Sequence, residues 1–112
     1  METTRQKKIS KLILKDLSKI FQKESNQFIG NILVTITNVR VSPDLSVAKI
    51  YLSLFPSKNP KDSLSLLNKN KKYFRRLLGL ELGSHIRIIP ELIFYLDDSA
   101  EYFEEINRLI KK

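Results

Sequence analysis

Residues 69–98 read KNKKYFRRLLGLELGSHIRIIPELIFYLDD. Five cations within eight positions, Lys69, Lys71, Lys72, Arg75 and Arg76, lead into an apolar helical stretch and then into a nearly all-apolar segment over residues 86–96. So little alternation reads as a strand packed on both faces, and Pro90, which brings no N–H to a ladder, confines it to a sheet edge or a bulge. A helix feeding an edge strand obliges the rest of the chain to supply the remaining sheet and its cover. The expectation is therefore an α+β fold. With 112 residues, 42% of them apolar, there is material for one modest core and so for one domain over residues 1–112.

The segments before residue 69 supply those parts. Thr3 and Gln6 have the spacing of a capping box, which predicts a helix from there to about residue 24. At about 100° per residue, Ile9, Ile13, Leu14, Leu17, Ile20 and Phe21 share one side of it, while Arg5, Lys8, Lys11, Lys15, Lys19 and Lys23 share the other. Alone, such a basic side only keeps a protein soluble. After Gly30, residues 31–41 are rich in β-branched types and predict a strand, with Ile32, Val34 and Ile36 on one side and Thr35 and Thr37 on the other. Pro43 and Asp44 supply turn chemistry, and residues 46–55 alternate as a second strand that closes an antiparallel hairpin.

Asn59 as N-cap, Pro60 in the first turn and Asp62 near the positive end of the dipole start the next helix. Its apolar stripe of Leu64, Leu67, Phe74, Leu77 or Leu78, and Leu82 is interrupted where Asn70 and Lys71 stand, which predicts a break there, the alternative being a curved helix whose stripe drifts. Gly83 is the preferred stop. Asp98 and Glu101 then have the spacing of another N-cap pair, opening a helix with Tyr102, Phe103, Ile106, Leu109 and Ile110 on one side.

Charge is unevenly distributed. Residues 1–76 hold 16 Lys/Arg against 5 Asp/Glu, and residues 77–112 hold 4 against 7, giving +11 and −3. A segregated positive field attracts polyanions: RNA, DNA or anionic lipid. The absence of cysteine rules out disulfides and cysteine-based sites and fits a reducing compartment. The N-terminal stretch has no apolar signal region, and no stretch approaches the roughly 20 apolar residues of a bilayer span. One histidine, His85, and no Gly-rich phosphate loop leave nothing from which to assemble a triad or a P-loop. Asp97 and Asp98 read as helix-start residues, so no metal and no cofactor is expected. Tyr73 has two readings, a platform for a base or a core ring beside Phe74.

The order helix, hairpin, helix, break, helix, strand resembles a type II KH domain: αββα(kink)αβ with a three-stranded sheet and a C-terminal helix. The residues are similar to those of the ribosome-binding factor A family in VTITNVRVSPDLSVAKIYLSLF (residues 34–55), with its S-x-D-L-x-x-A-K-I-Y run, and in FRRLLG (74–79) and RIIPELIFYLDDS (87–99). The family lacks the GXXG loop of ordinary KH domains and carries an Ala-x-Gly kink, where this chain has Asn70-Lys71-Lys72. The resemblance implies a non-catalytic, cytoplasmic, monomeric assembly factor without cofactor. Its partner would be 16S rRNA within the free 30S subunit, not DNA and not a membrane, and its role would be to assist late maturation of that RNA. Lys8, Lys11, Lys15 and Lys19, with Lys71, Lys72, Arg75 and Arg76, would contact phosphates; Arg40, Lys49 and Arg87 are secondary candidates. A membrane-surface amphipathic helix and a protein-interaction adaptor are the readings from other classes.

Overall fold

The computed structural model describes residues 2–97, so the helix expected after Asp98, with its stripe from Tyr102 to Ile110, lies outside the described residues. Helix α1 (Thr4–Glu24) begins with both arms of the expected capping box: Gln6 N–H donates to Thr3 Oγ1 at 3.2 Å and Thr3 N–H to Gln6 Oε1 at 2.7 Å. The Gln6 amide has a second use, donating from Nε2 to the Val41 carbonyl at 2.8 Å and pinning the start of α1 to the end of the first strand. A single turn, α2 (Asn26–Ile29), ends at Gly30, whose φ of 74° and ψ of −150° are open only to glycine.

Strands β1 (Leu33–Val41) and β2 (Val47–Phe55) pair antiparallel, and β2 pairs parallel with β3 (Glu91–Leu96), in the order β1-β2-β3. The alternation expected of Val34 and Ile36 against Thr35 and Thr37 is present, and it breaks just after Thr37. A bulge between Ile36 and Asn38 leaves Thr37 and Asn38 both exposed and shifts the pattern by one. The cause lies in the residues: uninterrupted alternation from Ile36 would bury Asn38 and Arg40, whereas the bulge buries Val39 and Val41 and turns Arg40 outward. The hairpin turn holds Leu45 at φ 62° and is tied by Asp44, whose carboxylate accepts from Ser42 Oγ and Ser46 Oγ, each at 2.7 Å, and from Ser46 N–H at 3.1 Å.

Helix α3 (Pro60–Lys69) starts at Asn59, though not by the expected side-chain cap. The Asn59 amide donates to Asp62 Oδ2 at 2.7 Å instead of accepting from the helix, while its carbonyl receives the Asp62 and Ser63 N–H groups. Helix α4 (Lys71–Leu82) follows, and Gly83 is the stop, although at φ −56° it needs none of glycine's conformational freedom. Residues 86–90, expected to be strand, are an irregular lead-in, and β3 begins only after Pro90. Its place at the sheet edge is the one a proline can border.

All of these helices lie on one side of the sheet, α1 over β1, α3 and α4 over β3, with α1 against α4. Phe21 of α1, Phe74 of α4 and Phe94 of β3 meet at the centre with ring centroids 5.0–6.0 Å apart. Ile13, Leu17, Ile50, Leu52, Leu67, Leu78, Leu82 and Leu92 close around them without solvent contact. Burying a side chain of this size contributes about 1.5–3 kcal/mol, so this cluster fixes the relative placement of α1, α4 and β3.

Candidate nucleic-acid interface

The break between α3 and α4 is built by Asn70. Leu67 and Phe74 are both fully buried, but no single straight helix could carry that stripe through Asn70 and Lys71 without burying them. Asn70 therefore sits at φ −107°, ψ 19°, in the sparsely populated bridge region. Its N–H donates to the Leu66 and Leu67 carbonyls at 3.2 and 3.1 Å, its Nδ2 to Leu66 O at 2.8 Å, and its own carbonyl receives the N–H groups of Tyr73 and Phe74. One residue ends α3 and begins α4. As the N-terminal cap of α4 its side chain offers no acceptor, and the first turn of α4 carries Lys71 and Lys72 with no acidic residue, so cations stand at the positive end of a helix dipole. An anion is the group that would relieve that arrangement.

The cations near the break divide into two rows. Lys71 and Arg75, four residues apart, face β3: Lys71 Nζ lies 3.6 Å from Glu91 Oε1, and the Arg75 guanidinium donates to the Ile89 carbonyl from Nη2 at 2.8 Å and to Pro90 O from Nε at 3.2 Å. They fasten α4 to the lead-in of β3, whose carbonyls lack ladder partners. Lys72 and Arg76 form the next row, exposed. On α1, Lys8, Lys11, Lys15 and Lys19 are all exposed along the side away from the core. Eleven steps of 1.5 Å from Lys8 to Lys19 make that line about 16 Å long. Because α1 packs on α4, the line and the exposed pair belong to one helical layer. Arg40 and Lys49 lie elsewhere, as cross-strand partners on the opposite side of the sheet, and Arg87 is exposed in the lead-in to β3.

Tyr73 takes the core reading. Its hydroxyl donates to Glu24 Oε2 at 2.9 Å, Gln27 Nε2 donates to the same carboxylate at 2.6 Å, and its ring meets Phe28 edge-on at 5.3 Å. His85 is an exposed loop residue, and Asp97 accepts from the Thr37 hydroxyl. Asp98 lies outside the described residues. Sequence reasoning missed Asn68, whose amide meets the main chain of Phe94 in both directions, Nδ2 to O and N–H to Oδ1, each at 2.9 Å, and so occupies the open edge of β3 beside the break. It missed, too, the stacking of Tyr51 on Tyr95, centroids 5.5 Å apart, next to Lys49 on the outer face. The alternation of Lys49 and Tyr51 in β2 was the available signal.

The family model for ribosome-binding factor A matches residues 5–110. A ribosome-binding factor A from Cytophaga hutchinsonii is 45% identical over 112 residues, which is all of this chain and 84% of that protein. The crystal structure of ribosome-binding factor A from Thermus thermophilus superposes with a TM-score of 0.68 at 21% identity, covering 81% of this chain and 94% of that one. A homology model of the Thermus factor, fitted into a cryo-EM map of its complex with the 30S subunit, covers 75% of this chain and 86% of that one with a TM-score of 0.61 at 23% identity. The break between α3 and α4 thus belongs to a fold of the KH-like kind, reached here with asparagine at its corner, and the chain belongs to the ribosome-binding factor A family.

Proposed function

We propose that this protein is a non-catalytic assembly factor that binds the free small ribosomal subunit through its 16S rRNA and assists the late maturation of that RNA. The observation that carries the reading is the exposed lysine line of α1, free of carboxylate partners among the described residues, in a chain whose family includes a protein described in complex with the 30S subunit. Lys8, Lys11, Lys15 and Lys19 contact phosphates along one stretch of RNA, with Lys72 and Arg76 extending the contact on α4. Phosphate contacts position a protein without reading sequence, so selectivity comes from the folded shape of the RNA and the bases that shape exposes. The protein acts as a cytoplasmic monomer formed by one domain, and holds an immature RNA conformation until it is displaced.

A membrane role is disfavoured by packing. The apolar side of α1, the part that would enter a bilayer surface, is buried in the core at Ile9, Ile13, Leu17, Ile20 and Phe21, which leaves Leu14 of that side exposed. The test is sedimentation of the purified full chain with ribosomal particles. Comigration with free small subunits and not with complete ribosomes is the expected result; equal binding to both, or to neither, defeats the reading.

A further inference from the structure

The outer face of the sheet carries a pattern that the helical layer's contacts leave unused. Register sets its residues in rows: Arg40, Lys49 and Ile93 in one, and Asn38, Tyr51 and Tyr95 in the next. Successive rows on one face are about 7 Å apart, so the two cations adjoin the tyrosines. The Tyr51 and Tyr95 rings are stacked, with 25° between their planes, and Tyr95 remains 38% exposed. Arg40 and Lys49, directly opposite each other, have no ion-pair partner among the described residues, and like charges in that position destabilise a sheet. Of the neighbouring carboxylates, Glu91 is bridged to Lys71 at the sheet edge and Asp97 accepts from the Thr37 hydroxyl. A bulge in β1 is what brings Arg40 to this face at all. Two adjacent cations call for an anion, and an exposed ring at the end of a stack calls for another flat ring.

We infer that this face binds single-stranded RNA, one base extending the Tyr51–Tyr95 stack and a neighbouring phosphate lying between Arg40 and Lys49. The inference rests on the RNA-binding reading above but concerns a separate surface and a different kind of contact. Bases in a duplex are already stacked on both sides, so this face takes unpaired nucleotides, whereas a lysine line takes any phosphate backbone. The protein thereby holds a structured part of an RNA on its helices and an unpaired segment on its sheet.

The experiment uses the full chain and fluorescence anisotropy with a ten-nucleotide oligouridine and with a fully paired RNA hairpin. Wild type is expected to bind the single strand through this face, and Tyr51→Leu/Tyr95→Leu to weaken that binding about 5- to 100-fold, the loss that removing a stacking ring produces. Tyr95→Phe, which keeps the ring, should bind as wild type does. Arg40→Gln/Lys49→Gln is expected to weaken oligouridine binding and to melt no lower than wild type, because it removes a repulsion. That variant decides the question should the leucine variant fail to fold. Oligouridine binding unchanged in a folded face variant overturns the inference, as does wild type that fails to bind the oligonucleotide at low salt. In either case comigration with small subunits remains a separate measure of the assembly reading. Loss of small-subunit comigration with oligouridine binding intact would make the face a protein contact and likewise overturn it.

Discussion

The lysine line of α1 and the basic run at the α3–α4 break have similar charge in the sequence and different fates in the fold. Along α1 the cations Lys8, Lys11, Lys15 and Lys19 occupy the outer side of a helix whose other side packs on the core through Ile9, Ile13, Leu17, Ile20 and Phe21, and all four stay exposed. At the break the run straddles two rows, and the row facing β3 is used by the protein itself: Lys71 on Glu91, Arg75 on the carbonyls of Ile89 and Pro90. A dense charge run is therefore not yet a site. What decides is whether an irregular main chain with unsatisfied carbonyls passes within reach of the side chain, because a guanidinium will take those acceptors before any ligand arrives.

The largest effect expected from this contrast is on RNA binding. Each phosphate neutralised contributes about 0.7–0.9 to the slope of log K against log salt, so changing all four α1 lysines to Gln should flatten the slope by about 3 for association with small subunits. Thermal stability should hardly move, since exposed positions away from caps and core change it by about 0.5 kcal/mol or less. A folded quadruple variant with an unaltered slope would remove α1 from the interface. Substituting the whole basic run at the break is the less clean experiment, because Arg75 is also structural; Lys72→Gln/Arg76→Gln isolates the exposed row.

Stability measurements can break the comparison from the other side. Arg75→Gln should cost about 1–2 kcal/mol in urea unfolding, toward the low end for charged hydrogen bonds because the group is exposed, while Arg76→Gln, one position on, should cost about 0.5 kcal/mol or less. Equal effects at the two positions would mean that the rows are not distinct. Asn70→Ala removes the side-chain bond to Leu66 O and should cost about 1 kcal/mol, with α3 and α4 still separate because polar residues would otherwise enter the core. An unfolding free energy equal to wild type would show that the main-chain bonds of residue 70 suffice for the break.

What could be read in the sequence follows the same division. The break was legible because it is written in a local pattern, an apolar stripe with two polar residues where a straight helix needs apolar ones. The capping box of α1 and the edge position of β3 were legible for the same reason, each resting on residues close together in the chain. Asn68 and Arg75 were not, because their partners are main-chain groups of Phe94, Ile89 and Pro90, some 14 to 26 residues away, and nothing local says they will meet. The bulge at Thr37 stands between: Val39 and Val41 already fall out of step with Ile36 in the sequence, but a period of two hides the shift unless the polar Asn38 and Arg40 are counted against it.

Asp44 extends the comparison to an acid and gives the smallest effect. Like Arg75 it is a charged group used by the chain's own polar groups, although it is exposed. Hydrogen bonds from the Ser42 hydroxyl, the Ser46 hydroxyl and the Ser46 N–H hold its carboxyl at about 2, below its ordinary value of 3.8. A carboxylate with a lowered pKa in the folded state adds stability that is complete above the unfolded value and disappears as pH falls through the folded one. The contribution of this turn is thus present above about pH 4 and fades between pH 4 and 2. Asp44→Asn should remove that fading, so that its melting temperature falls less steeply than that of wild type across this window, with a small loss at pH 7 where the charge-assisted bonds are gone. Arg40→Gln, across the sheet from Lys49 and near the same turn, should leave the acid profile unchanged, because the bonds that set the Asp44 pKa come from the two serines. If Asp44→Asn and wild type lose stability in parallel between pH 4 and 2, the acid sensitivity resides in other carboxylates and the turn is held by its remaining bonds, Ser42 N–H to Val47 O and Leu45 N–H to Ser42 O, each 2.9 Å, and those from Ser46 N–H and Val47 N–H to Ser42 Oγ, each 3.1 Å.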